Sequence, residues 1–157
     1  MGTEIERKFL VINDNWRMTA DTCINVIQGY FTTDKKCSIR VRLSGDKANL
    51  NIKSATLGVT RAEFDYPIPA AEAQEMLELL CIKPLIEKKR YLVHFGQHLW
   101  EVDVFSGENK GLVVAEIELA HIDEDFIRPD WIGAEVSHDP RYYNVCLVKK
   151  PYKNWAG

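Results

Sequence analysis

The run Glu4-Ile5-Glu6-Arg7-Lys8-Phe9 repeats charge with a period of two, and this pattern constrains the chain more than any other. In a β-strand, residues two apart point to the same face and lie roughly 6.5–7 Å from each other. Glu4, Glu6 and Lys8 therefore form one row, while Ile5 and Phe9 take the opposite face. The same arithmetic applies to Arg40-x-Arg42, Lys88-x-Arg90, Glu101-x-Asp103 and Glu116-x-Glu118. Apolar residues of opposite parity accompany several of these pairs: Ile39, Val41 and Leu43, then Trp100, Val102 and Val104, then Ile117 and Leu119.

An antiparallel strand with one wet face also alternates, but its wet face usually mixes signs. Two like charges about 7 Å apart repel by about 0.6 kcal/mol in water and about 2.4 kcal/mol at an effective dielectric of 20. In this chain the later pairs are segregated by sign, strand by strand. Carboxylate rows suit hard cations such as Mg²⁺ or Mn²⁺, and Arg or Lys rows suit phosphate oxygens. Both in one small sheet point to a metal-bound polyanion.

At 157 residues the chain is expected to form one domain, residues 1–157, with a core that needs no disulfide staples. A net charge of −3 with 27% charged residues gives no sign of a nucleic-acid surface. Cys23, Cys37, Cys81 and Cys146 are scattered without a Cys-x-x-Cys pair and read as reduced, packed thiols. No basic-then-apolar leader begins the sequence, and no apolar run approaches the roughly 20 residues of a membrane span. The expectation is a cytoplasmic protein with no membrane partner. His94, His98, His121 and His138 lack metal-ligand or triad spacing, and no Gly-rich phosphate loop is present, so phosphate must be held by side chains.

Strand-like stretches fall at about 3–12, 25–32, 37–44, 48–54, 59–67, 86–95, 98–105 and 111–120. Ser44-Gly45-Asp46-Lys47 and Gly96-Gln97-His98 supply hairpin turns. The clearest helix is Ile68–Leu80, introduced by Pro69 and rich in Ala, Leu and Glu; Met76, Leu77 and Leu80 are expected to pack on the sheet. Shorter helices are expected over 13–20, 123–127, 128–133 and 139–148. Eight alternating antiparallel strands can close into a barrel. A polar tunnel inside, with an apolar exterior covered by helices, satisfies both faces. The fold class is therefore α+β, mainly β, with short helices outside and a C-terminal helix near one end.

The ordered set Glu4-x-Glu6-x-Lys8, Gln28-Gly29-Tyr30, Arg40-x-Arg42, Lys53, Glu63, Lys88-x-Arg90, Asp103 and Glu116-x-Glu118 resembles the CYTH superfamily of triphosphate tunnel metalloenzymes over nearly the whole chain. Pro129-Asp130-Trp131-Ile132-Gly133, Asp139–Asn144 and the Lys149–Trp155 tail resemble its compact bacterial branch. The resemblance implies an eight-stranded antiparallel tunnel, a divalent metal and hydrolysis of a triphosphate-bearing small molecule.

Carried onto this sequence, the resemblance makes Glu4, Glu6, Glu116 and Glu118 metal ligands, supplemented by Asp103 and Glu63. Glu101 shares a face with Asp103, but Asp103 alone matches the pattern. Lys8, Arg40, Arg42, Lys53, Lys88 and Arg90 would hold triphosphate oxygens, the arginines as forks and the lysines as point charges. Arg61 is either an ion-pair partner or a phosphate contact. Lys89 and Arg7 fall on the opposite parity.

If one metal binds, the general base comes from Glu63 or from a Lys88–Tyr30 arrangement with Lys88 desolvated. Trp16, Trp100, Trp131 and Trp155 read as packing residues, which leaves no platform for a nucleobase or thiamine. The leading expectation is a metal-dependent hydrolase of inorganic triphosphate, with nucleoside triphosphates as weaker substrates. Class IV adenylate cyclase and thiamine triphosphatase are the alternatives within the family. A noncatalytic polyphosphate-binding module is the alternative from another class. An exposed apolar sheet edge could support a homodimer.

Overall fold

The computed structural model describes residues 2–32, 34, 36–54 and 59–155. The strands are β1 (Gly2–Val11), β2 (Ala20–Tyr30), β3 (Cys37–Ser44), β4 (Lys47–Ser54), β5 (Thr60–Ile68), β6 (Ile86–Phe95), β7 (His98–Phe105), β8 (Val113–Glu118) and β9 (Ile132–Glu135). Two α-helices, α1 (Ala70–Leu79) and α2 (Asn144–Lys149), complete the regular elements, with short 3₁₀ turns between. The strand order is β5-β4-β3-β2-β6-β7-β8-β1-β9, and an additional β5–β1 pairing closes eight strands into an antiparallel barrel.

Closure divides β1 between partners. Along one edge Gly2–Ile5 pair with β5, and further along the strand Phe9 and Val11 pair with β9. Glu6–Leu10 pair with β8. The β3–β4 and β6–β7 hairpins turn at Gly45 and Gly96, both near φ +60°, a left-handed conformation that glycine enters without the Cβ penalty.

Most apolar strand residues point outward, and three hydrophobic clusters gather the apolar side chains. One gathers Phe9, Trp16, Trp100, Val102, Ile117 and Trp131 on the β1–β8–β7 wall. A second lies inside one end of the barrel: Tyr30, Ile86, Phe105 and Val114 share the parity of the polar rows and meet Leu147 and Val148 of α2. A third packs Ala73 and Leu77 of α1 against Val41 and Ala48. The barrel is thus largely inverted relative to an ordinary small barrel: two of the three clusters lie outside the strands, and the lumen is polar beyond the end that α2 plugs. Trp16, Trp100 and Trp131 all serve that exterior packing, as the sequence led us to expect.

Several local expectations give way to tertiary context. The helix is shorter than Ile68–Leu80, and Leu80 lies beyond its end at 61% exposure. Leu77 packs as expected and forms an i,i+4 buried pair with Ala73, with Met76 packed beside them. Residues 123–127 are not helical; Phe126 packs edge-on against Phe9 and Trp100 there. Over 128–133 the expected helix is replaced by the start of β9, because the free edge of β1 offers backbone partners. Gly133 suits that approach: a Cβ there would sit 2.5 Å from Ile12 Cγ2. Arg7 and Glu135 tie the new strand to β1 through bonds of 2.9 and 2.6 Å.

Candidate triphosphate and metal site

The inward parity of the strands surrounds a cavity of about 320 Å³. Glu4, Glu6 and Lys8 reach it from β1, Arg40 and Arg42 from β3, Asn51 and Lys53 from β4, and Arg61 and Glu63 from β5. Arg90 and Glu101 come from β6 and β7, and Glu116 and Glu118 from β8. Tyr143–Val145, where α2 begins, lines one part of it. Tyr30 and Tyr143 are the only aromatic residues on the lining among the described residues. Lys89 is exposed on the outside, and Arg7 pairs outside with Glu135.

Most of the cations are already bound to carboxylates. Asp103, wholly buried, is the hub of one group: Lys88 Nζ donates to it at 2.7 Å, and Arg90 donates through two nitrogens at 2.8 and 2.9 Å. Arg90 also reaches Glu101 at 3.0 Å. Burial opposes the charge on Asp103, but Arg90 and Lys88 outweigh it and hold its pKa down. Both oxygens of Asp103 are engaged in this way, so its position is that of a counter-ion to the basic row.

A second group centres on Glu4, which accepts from Lys53 at 2.9 Å and from Arg61 at 3.4 Å. Arg61, left open between two roles by the sequence, therefore pairs with a carboxylate. Glu63 lies 3.5 Å from Lys53. Lys8 Nζ donates to the Tyr142 carbonyl at 3.0 Å and stands 3.5 Å from Glu116.

Arg40 and Arg42 differ. No carboxylate pairs with either among the described residues, and the buried Arg40 Nε has no hydrogen-bond partner. Arg42 Nε donates to the neutral amide of Gln28 at 2.9 Å. Burial, reinforced by Arg40 and Arg90 and only partly opposed by Asp103, lowers the Arg42 pKa to about 9.

The carboxylates are crowded in the opposite sense. Oxygens of Glu6, Glu101 and Glu116 lie within 4.8 Å of one another. Burial, then the charges of Glu116 and Glu4, push the Glu6 pKa well above its usual value, while Glu116 is held well below by Lys8 and Arg90 against its burial. Glu118 is raised by burial and by Glu4, Glu101 and Glu63. An all-oxygen donor set that repels itself suits a hard divalent cation. Glu101 belongs to this trio and Asp103 does not. The two share one face of β7, so parity alone finds both, but it cannot tell which stands opposite Glu116 and which opposite Arg90.

Lys88 is fully enclosed between Asp103 and the Asn144 side chain, 3.3 Å away. Burial lowers its pKa to about 7, with Arg90 and Arg42 adding to the effect and Asp103 opposing it. Tyr30 is buried, and its hydroxyl accepts from Gln28 Nε2 at 3.3 Å. Sequence reasoning assigned no role to Gln28, Asn49, Asn51, Ser38 or Asn144, which also meet the site. For the four on strands inward parity was the available signal, but neutral side chains do not stand out in a charge pattern; Asn144, on α2, lies outside any strand alternation.

The CYTH domain model matches residues 2–143. An inorganic triphosphatase of Acetivibrio thermocellus is 52% identical over 99% of both chains. One from Nitrosomonas europaea is 36% identical, covering 93% of this chain and 97% of its own. The crystal structure of the inorganic triphosphatase NE1496 superposes with a TM-score of 0.66 at 34% identity, covering 94% of this chain and 95% of that one.

Proposed function

The chain belongs to the CYTH family, and from that premise we propose that it hydrolyses inorganic triphosphate to pyrophosphate and phosphate, with nucleoside triphosphates as weaker substrates. The observation that carries this reading is the contrast among the cavity's cations. Lys8, Lys53, Arg61, Lys88 and Arg90 each have a carboxylate partner, whereas among the described residues Arg40 and Arg42 have none. Guanidinium groups enclosed in the barrel without a paired carboxylate favour an anionic ligand, and their fork geometry matches phosphate oxygens. Among the described residues the lining carries no Trp or Phe, which favours a substrate with no organic ring.

In this reading Arg40 and Arg42 grip the phosphate chain, with Lys53 and Lys8 adding point charges from β4 and β1. Glu6, Glu101 and Glu116, with Glu4 and Glu118 beside them, would hold Mg²⁺ or Mn²⁺. When bound, the cation supplies a Lewis acid that offsets charge on the phosphate oxygens and acidifies water. Water attacks the terminal phosphorus in line, the bond to the bridging oxygen breaks, and pyrophosphate leaves with that oxygen.

In this reading two groups act on the water's proton. One is Glu63, on the cavity wall; the other is Lys88, which is buried off the lining against Asp103 and has a pKa brought near neutrality. The four free cysteines, Cys23 exposed among them, suit a reducing compartment and support a cytoplasmic placement. Among the described residues no helix is long and apolar enough to cross a membrane.

The test is phosphate release from inorganic triphosphate, ATP, thiamine triphosphate and pyrophosphate, each with Mg²⁺, with Mn²⁺ and with chelator. Fast cation-dependent release from inorganic triphosphate, lost in Glu4→Ala and Glu116→Ala while both variants remain folded, is the expected result. Triphosphate binding without release would overturn hydrolysis and leave a polyphosphate-binding module. Cyclic AMP formed from ATP would move the assignment to a cyclase.

A further inference from the structure

Gln28 on β2 stands opposite Arg42 on β3, and Tyr30 stands opposite Arg40. Gln28 is completely buried, a neutral residue in a wall of charge. Its amide oxygen accepts from Arg42 Nε at 2.9 Å, and its amide nitrogen donates to the Tyr30 hydroxyl oxygen at 3.3 Å. The direction of this chain is set by chemistry. A guanidinium has donors only, so the amide must present oxygen to Arg42 and NH₂ to Tyr30. The Tyr30 oxygen is then an acceptor toward Gln28, and its one proton is left to donate elsewhere. Both Tyr30 and Arg42 line the cavity.

Arg90 shows the alternative way to orient an arginine. Its Nε is held by Asp103, a carboxylate that cancels its charge as it fixes its direction. Gln28 fixes Arg42 through the same nitrogen without adding negative charge. We propose that Gln28 is a positioning residue of the anion site: its amide aims Arg42 at the phosphate chain with its charge intact and makes the Tyr30 hydroxyl a hydrogen-bond donor to a phosphate oxygen. Tyr30 accordingly contributes a proton for hydrogen bonding rather than accepting one from water. This inference rests on the triphosphate reading of the same cavity.

The experiment compares wild type, Gln28→Glu, Gln28→Leu, Arg42→Ala and the Gln28→Glu/Arg42→Ala double variant. KM and kcat are measured with inorganic triphosphate and Mg²⁺, and thermal unfolding reports folding. Glu keeps an acceptor for Arg42 Nε, so a purely structural role tolerates it; the positioning role does not, because the carboxylate neutralises Arg42 and loses the donor to Tyr30. Gln28→Glu is expected to unfold near the wild-type temperature yet raise KM by about tenfold or more, with a smaller change in kcat. In the Arg42→Ala background the same change should cost less than in the wild type, because only the bond to Tyr30 remains to be lost.

Wild-type KM in Gln28→Glu, or losses that multiply in the double variant, would overturn the inference while leaving the triphosphatase reading intact. A wild-type chain that neither binds nor hydrolyses triphosphate would overturn both. Gln28→Leu, which removes both bonds, should raise KM at least as much; if it fails to fold, the Glu variant and its double decide.

Discussion

Arg90 on β6 and Arg42 on β3 project into one cavity from alternating strands, yet they meet opposite partners. Arg90 is gripped by Asp103 and Glu101, and these carboxylates drive its pKa well above the ordinary value despite burial. Arg42 is held by an amide, and burial with like charges lowers its pKa to about 9. One wall spends its positive charge on internal structure, and the other keeps it available for a ligand. Enclosing uncompensated charge is costly, so the β3 wall is the part of the barrel that a bound polyanion would stabilise most.

The comparison breaks most sharply at Asp103. Asp103→Ala leaves Lys88 and Arg90 buried without their shared counter-ion, and loss of one partner of a buried pair costs about 3–5 kcal/mol. Chemical denaturation should show that loss even with no triphosphate present. If stability is unchanged, the β6–β7 wall is not held together by its charges.

On the β3 wall the cost should appear in binding instead. Arg42→Ala or Arg40→Ala should weaken triphosphate binding by about ten- to a hundredfold, the usual range for a lost charged hydrogen bond, with little loss of stability. Triphosphate should raise the melting temperature of the wild type more than that of either variant. Equal protection in all three would place the anion elsewhere.

A pH series sharpens the contrast from the Lys88 side. Its pKa falls from 10.5 to about 7 on folding. Between those values the unfolded chain holds a proton that the folded chain has released, so this group makes stability rise with pH across that window, and its contribution is lost as pH falls through about 7. Lys88→Met should flatten that part of the metal-free stability profile; an unchanged slope would mean that Lys88 stays charged beside Asp103. The smallest effect belongs to Lys89→Ala. Lys89 has the opposite parity and is exposed, so stability should stay within about 0.5 kcal/mol and triphosphate turnover should be unaltered. A large loss of turnover would show that the inward face has been misidentified.

Much of the site was legible because strand parity is a local property. The rows at Glu4-x-Glu6-x-Lys8, Arg40-x-Arg42 and Glu116-x-Glu118 identify their own inward face from a repeat of two, without reference to any other strand. Partner choice is not local. Lys53 meets Glu4 across 49 positions of sequence, and Glu101 rather than Asp103 joins Glu6 and Glu116 because of the β6–β7–β8 register. Gln28 was visible in its Gln-Gly-Tyr motif, but its use depends on standing opposite Arg42.

By itself, the sequence determined a mainly β chain with polar rows on one face and most apolar residues on the other, and hence a barrel with most of its core outside and its charge within. A side chain's face follows from the pleat of its own strand. Only the tertiary structure decided that β9 would extend the β1 edge where a helix was expected, which carboxylate would neutralise which cation, and which two arginines would remain uncompensated. Those outcomes depend on barrel closure and register, which bring distant rows within hydrogen-bonding distance and set charge against charge in a low-dielectric interior.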